Sequence, residues 1–302
     1  MTATSSLTCA AFLAALDFSA GSTVLAPADP GPGSWVGAPS AVRDGDDLLL
    51  AYRLRRPVGE GRGYANVVAR WTADSTPQTL AVIRREDHAA ESLERPCLVR
   101  SGGRWHLYIS CATPGTKHWR VDLLSASTIA ALPEAVPVTV LPGDAGMAVK
   151  DPVIVVDGQG WHLWASCHPL DDPDTTDRMT TKYATSTDGI SWTWQGTALA
   201  GSAGWDARGV RFADVLRLAD GYLAFYDGRA SAAENWEERT GAAIAESLAG
   251  PWRPVDGPVF VSPYGSSGLR YLSAVGTSDG VRVFYESARA DGSHELRTQL
   301  TG

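Results

Sequence analysis

The sequence predicts an all-β fold made of five repeats of one four-stranded unit. Three observations predict it. Gly (31), Pro (18) and Trp (11) are plentiful and Lys is scarce, a mix that suits a turn-rich β protein. Five stretches share one pattern, an apolar strand, a Gly/Asp turn and a strand rich in aromatics. Those stretches begin at residues 38, 95, 151, 211 and 271, a spacing of 57, 56, 60 and 60. A period near sixty residues is the mark of a repeat architecture, and a β-sandwich does not explain it.

The chain opens with MTATSSLTCAAFLAALDF, read as a short packed helix within residues 1–21 rather than a signal peptide, since no Lys or Arg precedes its apolar stretch. STVLA (22–26) is a strand in need of a partner. The five inner hairpins follow: APSAVRDGDDLLLAY (38–52), RPCLVRSGGRWHLY (95–108), DPVIVVDGQGWHLW (151–164), RFADVLRLADGYLAFY (211–226) and YLSAVGTSDGVRVFY (271–285). Each leads through a polar loop to a third strand, at 65–71, 118–124, 181–186, 241–247 and 295–300. A fourth strand closes each unit but the last: TLAVI (79–83), VTVL (138–141), GTALA (196–200) and PVFV (258–261). The fifth unit lacks its fourth strand, and STVLA has the missing pattern. Together these describe a single-domain, five-bladed β-propeller, with four-stranded blades and the last blade closed by the N-terminal strand.

Composition narrows the function. With 44% hydrophobic residues the chain can bury a large core, and a net charge of −8 argues against a general nucleic-acid surface. No run is long enough to span a membrane, so a cytoplasmic protein is expected. The four cysteines form no zinc spacing. Cys97 and Cys111 could face each other on one hairpin, and buried free thiols are the favoured reading.

In a propeller the first strand of each blade lines the axis. The loops entering the first strands and leaving the second strands then share one face. That face collects Arg53, Arg55, Arg56, Arg62, Arg95, Lys150, Arg208, Arg211, Arg229 and Arg270 in an acidic protein. Such a set suits bidentate binding of a carboxylate, phosphate or sulfate. A structural network with Glu94, Asp151, Asp227, Glu234, Glu238 and Glu286 is the competing reading.

The five units, the K-D-P opening of the third, and the turns STDGISW (186–192) and AESLAGPW (245–252) resemble the furanosidase clan. That clan holds glycoside hydrolase families 43 and 32 and, more distantly, family 130. The resemblance implies glycosidic cleavage by acids at the inner strand ends. The clan places acids in its first three blades, whereas the first unit here opens Gly37-Ala38-Pro39 with none. With the frame shifted by one unit, Glu94 takes the first role, Asp151 the second, and Asp206 or a residue of the 227–238 loop, such as Glu238, the third.

Each candidate has an alternative. Asp151 can cap backbone N–H groups, Glu94 can form a rim ion pair with Arg95, and Trp205 beside Asp206 can stack on a sugar or pack between blades. Arg53, Arg95, Lys150, His168, Trp205, Arg208, Asp227, Arg229, Arg270, Tyr271 and Glu286 are the expected substrate-binding set, acting on a small polar, anionic glycoside. No metal or cofactor is expected. Calcium at Asp171, Asp172 and Asp174 is less favoured than a solvated acidic loop. A phosphorylase using the Arg cluster, a non-catalytic binding propeller and a propeller recruited to other chemistry in specialised metabolism are the alternatives.

Overall fold

The computed structural model describes residues 7–73, 75–256, 260–264 and 266–301. The N-terminal helix is short, α1 (Cys9–Ala14), capped by the Thr8 side chain accepting from the Ala11 N–H. Its Phe12 ring is buried 6.2 Å from Phe225. Strand β1 (Ser22–Leu25) follows.

Five antiparallel arrays come next. The first is β2 (Trp35–Asp44), β3 (Asp47–Arg55), β4 (Gly63–Trp71) and β5 (Gln78–Arg84). The second is β6 (Cys97–Ser101), β7 (Arg104–Ala112), β8 (Trp119–Ala126) and β9 (Val138–Leu141). The third is β10 (Met147–Asp157), β11 (Gly160–Pro169), β12 (Thr180–Ser186) and β13 (Thr193–Leu199). The fourth is β14 (Gly209–Leu218), β15 (Gly221–Arg229), β16 (Arg239–Ala245) and β17 (Arg253–Pro254). The fifth is β18 (Leu269–Thr277), β19 (Gly280–Ala288) and β20 (His294–Thr301), with β1 on its outer edge through the pairs Ser22–Thr298 and Thr23–Arg297. A single parallel pair, Trp35–His294, links the first and fifth arrays.

One element differs from expectation. The outer strand of the fourth array is β17, which pairs with Ala243 and Ile244. The chain beyond it returns to β16 at Phe260, opposite Thr240. The expected strand at 258–261 therefore keeps its pairing at Phe260, while Pro258 and Val259 lie outside the described residues.

Apolar residues occupy both faces of the inner strands because each array is covered on both sides. In β10, Val153 and Val155 pack with Phe212 and Val215 of the fourth array. Ile154 and Val156 pack on a cluster holding Cys97, Val99 and Tyr108 of the second. Three further clusters join the first and second, the fourth and fifth, and the fifth and first arrays. The four cysteines are buried and free.

The inner strands β2, β6, β10, β14 and β18 lie next to one another and line one cavity. Leu98 N–H donates to Ser40 Oγ (3.0 Å), Ala41 N–H to Ser273 Oγ (3.0 Å) and Ala274 N–H to Asp214 Oδ2 (2.6 Å). At the hairpin-turn end these strands line a cavity of about 570 Å³. No helix among the described residues is long and apolar enough to cross a membrane.

Candidate functional site

The site is built from the start of each inner strand. Antiparallel register breaks before Ser40, Val153, Asp214 and Ser273, so β2, β10, β14 and β18 are bulged near their starts. Aligning the residues where pairing resumes, with Cys97 at the start of the β6–β7 register, puts five pairs in equivalent places: Gly37-Ala38, Glu94-Arg95, Lys150-Asp151, Arg211-Phe212 and Arg270-Tyr271. Ala38 (φ 52°), Asp151 (φ 52°) and Tyr271 (φ 55°) adopt the left-handed conformation at these bulges. The aligned position therefore holds one carboxylate, Asp151, among Ala38, Arg95, Phe212 and Tyr271.

A cavity of about 170 Å³ opens above this ring. Glu94, Lys150, Arg211, Arg270 and Tyr271 form its floor, and Arg53, Arg229, Glu238 and His168 reach it from the second strands and the loops after them. Trp35, Trp119 and Trp236 are its aromatic walls. Gly37 contributes no side chain because Glu286 fills that space: a Cβ there would lie 2.3 Å from Glu286 Oε2.

The charges form one network. Arg53 bridges Glu94 and Glu286, the latter at 3.0 Å. Arg270 spans Glu286 (2.8 Å) and Glu238 (2.5 Å). Glu238 also takes Arg229 at 2.6 Å. Arg211 pairs with Asp227 (2.9 Å) and stands 3.6 Å from both Asp151 and Glu238. Its guanidinium lies 3.8 Å over the Tyr271 ring, which Arg53 and Arg270 flank at 5.5 and 5.2 Å.

Protonation follows from these contacts. Burial pushes the Glu238 carboxyl up, but Arg211, Arg270 and Arg229 outweigh it and hold the group far below the carboxylate range. Glu286 is held down in the same way against its burial, by Arg270 and Arg53, and Asp151 by Lys150 and Arg211. Asp227 goes the other way: burial raises it to about 6 despite Arg211. Burial also lowers Lys150 to about 8 and His168 to about 3. His168 is thus a neutral imidazole. Its Nδ1–H faces the Thr176 carbonyl (2.9 Å), which leaves Nε2 to accept from Ser166 Oγ (3.1 Å).

The sequence-derived candidates separate into three groups. Glu94, Glu238, Arg53, Lys150, His168, Arg229, Arg270 and Tyr271 line the cavity. Asp151, Asp227 and Glu286 lie against it and are fully buried. Four do not line it. Arg95 turns toward the other end of the axis and donates to the Pro39 carbonyl. Arg208 pairs with Asp177 at 2.7 Å. Asp206 accepts from Ser202 N–H (3.0 Å) and Tyr226 Oη (3.4 Å), and Trp205 stacks on Tyr226 at 5.5 Å. Trp119, Trp236 and Asp177 line the cavity without having been assigned a role from sequence. Arg211, grouped there only with the basic residues of this face, is the hub, and its place level with Lys150 and Arg270 in the aligned repeats was the available signal. Among the described residues no group of three or more His, Cys, Asp or Glu side chains could hold a metal.

The sequence matches no family model, and no curated protein matches it significantly. Solved structures match it in fold. A thermostable family-43 glycoside hydrolase superposes with a TM-score of 0.68 at 15% identity, covering 91% of this chain and 90% of its own. A family-43 enzyme of Xanthomonas citri complexed with xylotriose gives 0.66 at 13%, covering 95% and 91%. A protein from a study of family-130 mannoside phosphorylases and glycoside hydrolases gives 0.61 at 13%, covering 90% and 88%. The chain has the β-propeller-like fold of these glycoside hydrolases.

Proposed function

We propose that the five arrays are the blades of one closed five-bladed β-propeller domain, and that its axial cavity takes a small anionic, carbohydrate-like molecule. Closure is supported by the β1–β20 pairing and by the apolar cluster between the fifth and first arrays. The observation that carries the ligand reading is the charge of the cavity. Seven cationic side chains (Arg53, Arg62, Lys117, Lys150, Arg211, Arg229, Arg270) line it against three carboxylates (Glu94, Asp177, Glu238). Adding Asp151, Asp227 and Glu286 still leaves seven against six, in a chain of net charge −8. Arg53 Nε, Arg229 Nε and Arg211 Nη2 are buried without a hydrogen-bond acceptor, and such groups favour an anion that completes them. Trp119 and Trp236 offer flat faces to a sugar ring.

The second reading is acid–base cleavage of a glycosidic bond, favoured by the shared fold and by Glu94 and Glu238 at one cavity. That chemistry needs one ionised and one protonated carboxyl. Glu238 fits the ionised role, Glu94 stands at the same cavity paired with Arg53, and Asp151 holds Lys150 and Arg211 in place.

The test compares glucuronate, galacturonate, phosphate and sulfate with xylose, arabinose and mannose by thermal shift and calorimetry. Anions are expected to bind and raise Tm, more weakly as salt rises, and Arg211→Met is expected to abolish the effect. Equal binding of neutral sugars overturns the anionic reading. Reducing sugar released from uronate glycosides, and lost in Glu238→Gln, supports hydrolysis. Release only with added phosphate supports phosphorolysis.

A further inference from the structure

The chain contains 23 Arg and only three Lys, at positions 117, 150 and 182. Lys150 lies near the start of the third inner strand, at the place where the fourth and fifth strands carry Arg211 and Arg270. An arginine there would supply the same positive charge and would never lose its proton. A lysine supplies something an arginine cannot, an amine able to become a nucleophile.

The surroundings fit that use. Among the described residues Lys150 Nζ is held by an ion pair and a ring face. Its neighbours are Asp151 Oδ2 at 3.6 Å and the Trp119 ring at 4.9 Å. Asp151 Oδ2 is buried and lacks a hydrogen-bond partner. The Lys150 amine and Asp151 Oδ2 thus form an ion pair without a hydrogen bond, with Arg211 equally far from that oxygen, at a cavity that gathers Arg53, Arg211 and Arg270.

We propose that Lys150 is a carbonyl-trapping amine, which joins the cavity's anionic ligand through an imine when that ligand carries an aldehyde or ketone. The choice of an anionic ligand rests on the reading above. The step balances without a further reagent. The Nζ lone pair attacks the carbonyl carbon, the C–N bond forms, and Asp151 Oδ2 carries one proton from nitrogen to the carbonyl oxygen. It then carries the second nitrogen proton to the departing hydroxyl, so one water leaves and the C=N bond remains. The lowering of Lys150 to about 8 supports the presence of free amine near neutral pH. The charged groups acting on it are Asp151 beside it, Arg211 from β14, Glu238 before β16 and Arg53 from β3, with neutral His168 from β11.

The experiment treats the whole chain with glyoxylate, an aldehyde bearing a carboxylate, and traps the imine with cyanoborohydride. Peptide mass mapping then locates carboxymethyl-lysine, with half-buried Lys182 as the internal control and exposed Lys117, which lines the same cavity, as the competing amine. Most of the label is expected on Lys150, rising as pH is raised through about 8 and suppressed by excess sulfate. Lys150→Arg should lose that label. Equal labelling of the three lysines, or none on Lys150, overturns the proposal. Stabilisation by glyoxylate without label overturns the amine's role alone and leaves the anion reading standing. Labelling of Lys150 by neutral propanal as fast as by glyoxylate supports the amine and overturns the anion reading.

Discussion

At the scale of the residue, Glu238 shows how this site is held. One fully buried carboxylate is shared by Arg229 and Arg270, with Arg211 at 3.6 Å. Glu238→Gln leaves those guanidinium groups without their charge partner, and breaking a buried pair from one side costs about 3–5 kcal/mol. Urea unfolding at neutral pH should show that loss. The pH dependence has a definite sign. The folded carboxyl sits below its ordinary 4.5, so its contribution is complete above that pH and is lost as pH falls through and below it. The gap between the two proteins should therefore close on acidification. The charges themselves were legible in the sequence, since Arg53, Arg270, Glu238 and Glu286 all fall in segments mapped to one face. Their pairing was not, because Arg270 meets Glu238 across 32 residues and Arg53 meets Glu286 across 233.

At the scale of the element, the bulged start of β2, β10, β14 and β18 is the working part. It turns the side chain of Asp151 or Tyr271 while the strand beyond it keeps its pairing. In β2 the same bulge is bare, and Gly37 yields its space to Glu286 from β19. Gly37→Ala forces a methyl against a carboxylate that Arg53, Arg270 and His294 all hold. The expected cost is about 1–3 kcal/mol, read as a lower Tm together with weaker stabilisation by anions. Gly158→Ala, in the β10–β11 turn with nothing within 4 Å, serves as the comparison and should leave the anion response intact. The acid-free Gly37-Ala38 opening was visible in the sequence as a departure from the clan's pattern. That Gly37 makes room for an acid from another array was not, because only the fold brings β19 against β2.

At the scale of the whole molecule, the N-terminal segment joins the fifth array to the start of the chain. β1 covers the edge of β20, and Phe12 and Phe18 enter the apolar cluster between the fourth and fifth arrays. Removing the chain through Leu25 exposes a row of unpaired β20 backbone groups and strips that cluster of two aromatic rings. A lower Tm and concentration-dependent association in light scattering are the expected results. Unchanged melting and scattering would show that β1 is dispensable.

The sequence by itself determined the repeat, the hairpins, the third strands, most outer strands and the partner of STVLA. These follow from period-two apolar patterns and turn residues, which act over a few neighbours and recur near every sixty positions. It also determined that basic residues crowd one face. Only the tertiary structure decided which side chains meet at the cavity. Arg95 turns to the far end of the axis, Asp206 is taken up by Ser202 and Tyr226, and Arg211 becomes the hub. The physical reason is that a side chain's direction at a bulge depends on local φ and on partners from other arrays. Those partners are brought together by packing between arrays, and no short window of sequence records it.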